Sequence, residues 1–259
     1  MEVVIVRSAE EAGRVVASIV RSALAAGARR LGLATGTSPV GAYRELVRQH
    51  REEGLSFAGV QAFLLDEYVG LAASHPQSYA RVIRTGFVDH VDLASDDVHG
   101  PDGAADDVLE EARRYDALLR AAGPLDVQIL GTGANGHLGF NEPGSSLASR
   151  TRVKTLTEQT RRDNARFFPE GESVPHHVIT QGLGTIREAR HLVLVATGRH
   201  KAAAVAAAVE GPVSAFCPAS VLQLHPHATV VVDEPAALRL ELADYYRHVA
   251  AHRLPTQGW

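Results

Sequence analysis

The sequence predicts an α/β protein built on a mostly parallel sheet with helices on both faces. Three observations point there. Short apolar runs alternate with segments whose apolar residues recur every three or four positions. Several of those runs end in small, polar, glycine-containing turns, as strands do when a helix follows. No internal repeat, low-complexity tract or Pro/Gly/Ser linker interrupts the pattern, so residues 1–259 are expected to form one domain.

Taken in order, Ala12, Val15, Val16, Ile19, Val20 and Leu24 make one apolar helix face. Residues 31–34 read as a buried strand that breaks at Thr35-Gly36-Thr37-Ser38-Pro39. Ser38 as N-cap and Pro39 as first helical residue predict a helix through Leu46. Residues 60–65 read as a strand ending at Asp66-Glu67. Val108, Ala112, Tyr115 and Leu119 mark a second amphipathic helix. Strands follow at 125–130, before a glycine-rich loop, and at 191–196, before Thr197-Gly198 and an alanine-rich helix. Residues 228–232 form the last clear strand, and a C-terminal helix closes the chain. Long polar loops are expected at 70–80 and 140–175, of a length that often marks a binding loop or lid.

Composition narrows the function. At 45% hydrophobic and 22% charged residues the chain is an ordinary globular sequence, not a disordered one. A net charge of -4 supplies no global field to hold nucleic acid or an anionic membrane. No apolar stretch reaches the roughly 20 residues of a membrane span. The start, MEVVIVRSAEEAG, lacks the pattern of a secretory signal, and the single Cys217 excludes an internal disulfide framework. Both fit a cytoplasmic setting. Thirteen histidines stand out, since imidazole titrates near neutrality. His176-His177 and His225-Pro226-His227 are the tempting metal pairs, but no His-Glu-x-x-His motif or second cysteine accompanies them, so no metal is expected. Most histidines, including His50, His90, His248 and His252, read as solvent-facing.

In open parallel sheets, ligands bind beyond the carboxyl ends of the strands. The residues there are Thr35-Gly36-Thr37-Ser38, Asp66-Glu67, the 131–137 loop, Thr197-Gly198-Arg199-His200-Lys201 and Asp233-Glu234. One half suits an anion: a hydroxyl-rich turn opening a helix, and Lys201 just inside another. The same turns also read as plain strand-to-helix connections. Neither is a nucleoside-triphosphate loop, because Gly-Lys-Ser/Thr is missing. Gly131, Gly133 and Gly136 match a dinucleotide fingerprint in spacing, but His137, Gly139 and Pro143 fit a following helix poorly, which argues against NAD. The other half suits acid–base work. Asp66 leaves an apolar strand, where burial would raise its pKa; alternatively Asp66-Glu67 caps the next turn. His137 lies in a loop where packing explains an imidazole poorly, and Glu142 is near enough to orient it.

Several blocks together resemble the glucosamine-6-phosphate deaminases. They are residues 34–39 (ATGTSP), 65–71 (LDEYVGL), 75–79 (HPQSY), 136–143 (GHLGFNEP), 145–157 (SSLASRTRVKTLT), 209–212 (VEGP) and 222–226 (LQLHP). The resemblance implies a modified Rossmann-like three-layer sandwich with a lid within 143–175. It implies a hydrolytic, isomerising deaminase that turns glucosamine 6-phosphate and water into fructose 6-phosphate and ammonia, without metal or cofactor. Asp66 would carry the proton from C2 to C1. His137, with Glu142 as its charged partner, would relay a proton to the ring oxygen. Gly36, Thr37, Ser38, Arg166 and Lys201 would bind the phosphate. Ser145, Arg152 and Lys154 match residues that hold the phosphate of an activator, N-acetylglucosamine 6-phosphate, in hexameric members; a lid-ordering or subunit-contact role is the alternative, and a monomer is not excluded. Asn135 departs from the aspartate of some members and lacks the charge to stabilise an imidazolium. The sister lactonases share the fold and a Gly-His loop but not these blocks. A lactone hydrolase using His137, and a sugar-phosphate sensor without turnover, are the competing readings; a sensor would need an output module, and none is expected beside the domain.

Overall fold

The structure is a computed structural model, and it describes residues 1–254. The chain opens with β1 (Glu2–Val6), α1 (Ala9–Ala25), β2 (Arg30–Leu33), α2 (Val40–Glu53) and β3 (Gln61–Leu64). It continues through β4 (Asp66–Tyr68), α3 (Tyr79–Gly86), β5 (Val98–His99), α4 (Val108–Ala122) and β6 (Val127–Leu130). Then come β7 (Arg152–Thr155), α5 (Glu158–Ala165), β8 (His177–Thr180), α6 (Leu183–Ile186) and β9 (Leu192–Ala196). It ends with α7 (Ala202–Val209), β10 (Ala228–Asp233), α8 (Glu234–Ala237) and α9 (Ala243–Ala251).

Seven strands form one sheet in the order β1-β10-β9-β6-β2-β3-β5, and every pairing is parallel. β6, β9 and β10 are buried along their whole length. That requires cover on both faces, and it is why these strands read as unbroken apolar runs. The observed class is thus the α/β sandwich the sequence predicts. β2 has β3 on one side and β6 on the other. The chain leaves these neighbours in opposite directions, which opens a crevice at their carboxyl ends.

A second, antiparallel sheet of three strands, β4-β8-β7, stands beside that crevice. It carries its own apolar cluster of Tyr68, Phe140, Leu156, Phe168, Val174 and Val178. Phe168 meets Tyr68 edge-on, with ring centroids 5.6 Å apart. Asn164 Nδ2 donates to Tyr68 Oη at 2.9 Å, and His75 Nε2 lies 2.8 Å from Glu172. These contacts tie the segment around α5 to the body of the molecule.

Several expectations are corrected here. The polar loop expected at 140–175 contains β7 and α5. Arg152–Thr155 is too short and too charged to show a strand period, and α5, EQTRRDNA, buries only Thr160, so it has no apolar stripe. Pro39, not Ser38, precedes the helix: α2 starts at Val40, runs past Leu46 to Glu53, and has no side-chain cap. Ser38 Oγ instead sits 3.4 Å from Thr197 Oγ1, on the turn after β9. Two histidines are buried. His191 is bonded to Thr229 and stacked on His227 at 3.6 Å, and His225 lies between the carbonyls of Ala189 and His227. Burial next to two other imidazoles holds His191 far below the usual histidine range, at about 3. Among the described residues no helix is long and apolar enough to cross a membrane.

Candidate active site

The turns at the carboxyl ends of β2, β3, β6 and β9 surround a cavity of about 650 Å³. Gly36, Thr37, Ser38, Asp66, Asn135, His137, Arg166 and Lys201 all line it. Glu142 lies behind His137. Ser145, Arg152 and Lys154 are outside the lining: Arg152 Nη1 donates to Asn141 Oδ1 at 2.8 Å, and Ser145 Oγ is buried without a partner.

Asp66 stands where the chain steps from the parallel sheet to the antiparallel one. Leu65 N still donates to Leu33 O, while Leu65 O accepts from Gln181 N and Asp66 faces Thr180 in β8. Asp66 is 4% exposed. Burial, and then the neighbouring Glu67 charge, push its pKa up to about 8, with Thr180 and the Phe140 backbone pulling the other way. The two acids divide the roles that the sequence left open. Glu67 is the cap: its carboxylate accepts from Tyr68 N, Ser78 Oγ, Tyr79 N and Ala80 N at 2.7–3.0 Å and so holds the start of α3. Asp66 is left facing the cavity, protonated near neutrality and one small shift from being a base.

His137 lies against the backbone of the loop after β6. A Cβ on Gly133 would come within 2.2 Å of His137 Cε1, so the ring occupies the space a side chain would need. No helix follows that loop; residues 138 and 141 form an isolated bridge instead. His137 Nδ1 is buried and faces Glu142 Oε2 at 3.7 Å, longer than a hydrogen bond, which leaves the other ring edge to the cavity. Asn135 Oδ1 accepts from His137 N at 3.2 Å, while its amide donates to Glu142 Oε2 at 2.7 Å. An aspartate there would set two carboxylates together; the asparagine leaves Glu142 as the single charge facing the imidazole. Burial alone would raise Glu142, but His137, the Thr160 hydroxyl and the Asn135 amide together hold it at about 2.

The residues expected to hold an anion line the same cavity. Gly36 adopts φ +101°, which turns the chain sharply into Thr37 and Ser38. Lys201 comes from the start of α7 and Arg166 from the end of α5, and neither forms an ion pair among the described residues. Burial and the Arg166 charge lower the Lys201 pKa, against Asp163. His200, also in the lining, is lowered by burial, Lys201 and Arg166. Like charges held together in this way make a site that gains from an anion. Asp233-Glu234, a rim candidate from sequence, is a brace: both Asp233 oxygens accept from Gly198 N, at 2.9 and 3.1 Å, and one caps α8. Sequence reasoning missed Thr157 and Thr160, which bond Glu142. Their signal was a Thr-x-x-Thr pair ahead of a polar helix.

A buried carboxyl, an imidazole–carboxylate pair and two cations without ion pairs among the described residues, around one crevice, suit an acid–base enzyme of the phosphorylated-substrate class. The chain belongs to the glucosamine-6-phosphate isomerase/6-phosphogluconolactonase family, whose model matches residues 6–232. It is 63% identical over 259 residues to a glucosamine-6-phosphate deaminase of Rhodococcus opacus, and 56% identical over 264 residues to one of Streptomyces coelicolor, each covering 100% of both chains. A monomeric glucosamine-6-phosphate deaminase of known structure superposes with a TM-score of 0.90 at 43% identity, over 92% of this chain and 100% of that one. The 6-phosphogluconolactonase of Trypanosoma cruzi, with a TM-score of 0.75 at 19% identity over 93% of this chain and 97% of that one, shares the fold.

Proposed function

We propose that this protein is a glucosamine-6-phosphate deaminase, isomerising the aldose phosphate and releasing its C2 amine. One observation carries the reading: a single cavity holds buried Asp66, the His137–Glu142 pair, and Arg166 and Lys201 without anionic partners. The phosphate bridges the two cations and accepts from the Gly36-Thr37-Ser38 turn. His137, its Nδ1 edge turned to Glu142, takes the anomeric hydroxyl proton and delivers one to the ring oxygen, which breaks the C1–O bond and frees the aldehyde. Asp66, as carboxylate, removes the C2 proton and returns it to C1. The resulting C2 imine adds water and loses ammonia, leaving fructose 6-phosphate, so the net change is hydrolysis of a C–N bond coupled to isomerisation. An ammonium at C2 supplies the counter-charge that the buried carboxylate lacks, which favours an amino sugar over a neutral one. A lactone hydrolase has no use for a base at C2.

The 143–175 segment acts as the lid of the one domain expected over 1–259, of which 255–259 lie outside the described residues, since it delivers Arg166 to the phosphate. A buried, unpartnered Ser145 hydroxyl supports an effector-phosphate site with Arg152 and Lys154. A solved relative described as monomeric separates deamination from hexamer assembly in that protein. The reduced, buried Cys217 and a phosphorylated substrate support a cytoplasmic setting.

Incubation with glucosamine 6-phosphate should yield ammonia and fructose 6-phosphate in equal amounts; neither product from folded protein would sink the reading. Gly133→Ala should cost about a hundredfold in kcat, because the added methyl displaces the His137 ring by an ångström or more while every reacting group remains. Steady-state kinetics with an unchanged circular-dichroism spectrum would check it.

A further inference from the structure

Glu142 is held from two sides. One oxygen takes the Asn135 amide and faces His137. The other, Oε1, accepts from Thr160 Oγ1 and, at 3.3 Å, from Thr157 Oγ1. Both hydroxyls belong to the first turn of α5. Thr157 is its N-cap, accepting from Thr160 N at 3.1 Å, and the two hydroxyls lie 3.1 Å apart. Thr160 is 5% exposed and is the buried residue of that helix. The same helix presents Asn164 to the cavity and is followed directly by Arg166, its C-cap. One short helix therefore carries both a phosphate-binding cation and the groups that aim the carboxylate behind His137.

We infer that Thr160, supported by Thr157, is a positioning residue: seating the first turn of α5 aims Glu142 at His137, so phosphate capture and ring opening are set by one element. The inference rests on the deaminase reading above. Without the hydroxyl, Glu142 Oε1 keeps only the longer Thr157 bond. The carboxylate is then free to rotate away from an imidazole that it meets at 3.7 Å. Phosphate binding uses other atoms of α5 and of the 36–38 turn, so it is spared. Asp66 belongs to β4 and is held by the sheet, so the proton transfer at C2 is spared as well.

The test compares Thr160→Val, which keeps the shape, with Thr160→Ser, which keeps the hydroxyl. Thr160→Val should lower kcat roughly 10- to 100-fold, as expected for losing a hydrogen bond to a buried charge, with KM within about threefold. With C2-deuterated substrate, the isotope effect on kcat should fall towards one, because ring opening becomes the slow step. Thr160→Ser should recover most of the rate. Imidazole ¹⁵N shifts of His137, which report the nitrogen that carries the proton, should move in Thr160→Val and return in Thr160→Ser. Wild-type kcat and unmoved shifts in Thr160→Val would overturn the inference. So would equal losses in both variants, or a loss confined to KM with the isotope effect intact. Moved shifts in a protein whose wild type releases no ammonia would support the positioning role and sink the deaminase reading alone.

Discussion

Asp66→Asn is expected to lose roughly a thousandfold or more in kcat, because Asp66 is the buried carboxyl of the lining, while Asp163, the other lining carboxyl among the described residues, is exposed and lies by Lys201. Binding should survive, since the phosphate cradle is untouched; calorimetry with an open-chain amino-alditol phosphate, which cannot isomerise, would measure it. Wild-type kcat/KM should rise with pH as Asp66 ionises, towards its value of about 8 in the free protein. Stability should move the other way. A carboxyl raised from 3.8 to about 8 binds its proton more tightly when folded. Its contribution is complete below about 3.8 and is lost as pH climbs towards 8. The asparagine variant escapes that loss. At pH 7 it should be more stable than wild type by a few kcal/mol, at ~1.4 kcal/mol per pH unit, and the gap in Tm should close near pH 4. A variant that is both inactive and more heat-resistant would show that the protein sacrifices stability to keep this base buried. Full activity in the asparagine variant would remove Asp66 from the role.

Lys201→Ala is expected to lower kcat/KM by roughly a hundredfold to a thousandfold, as truncation of a half-buried partner of a charged group does. The loss should sit in KM, because the phosphate that the lysine is proposed to bind does not react. Turnover of unphosphorylated glucosamine, however slow, should be unchanged. Tm should hold or rise: burial and Arg166 already disfavour the charged lysine in the free protein, so its removal relieves a cost. Equal losses with both substrates would place Lys201 in the chemistry instead.

The central sheet was legible because β6, β9 and β10 are buried on both faces and can only be apolar. Most of the candidate site was legible for a related reason: Gly36, Thr37, Ser38, Asp66, His137 and Lys201 lie just past the ends of β2, β3, β6 and β9. What stayed hidden depends on long-range pairing. Arg152–Thr155 becomes a strand only because His177–Thr180 lies beside it, and no local period announces that. Ser38 has the chemistry of a helix cap, yet the turn at Pro39 takes its place and frees the hydroxyl towards Thr197. Asp66 and Glu67 are adjacent and alike, so sequence could not divide base from cap. Four donors around Glu67 do so. Thr160 shows its purpose only once Glu142, eighteen positions earlier, is seen against it.

The strand order also dictates a timetable. β1 pairs with β10 alone, Glu2 with Thr229 through Val6 with Asp233, so the first strand made has no neighbour until the last one emerges from the ribosome. β6 likewise waits for β9 before its second edge is covered. A nascent chain must therefore carry open strand edges through most of its synthesis, the condition in which chaperones are most needed and contact-poor intermediates accumulate. Asp233, the final residue of β10, pins the turn that leads to Lys201. The turn proposed to hold the substrate's phosphate is thus among the last parts of the molecule to be completed, and a chain stalled short of that strand would be without it.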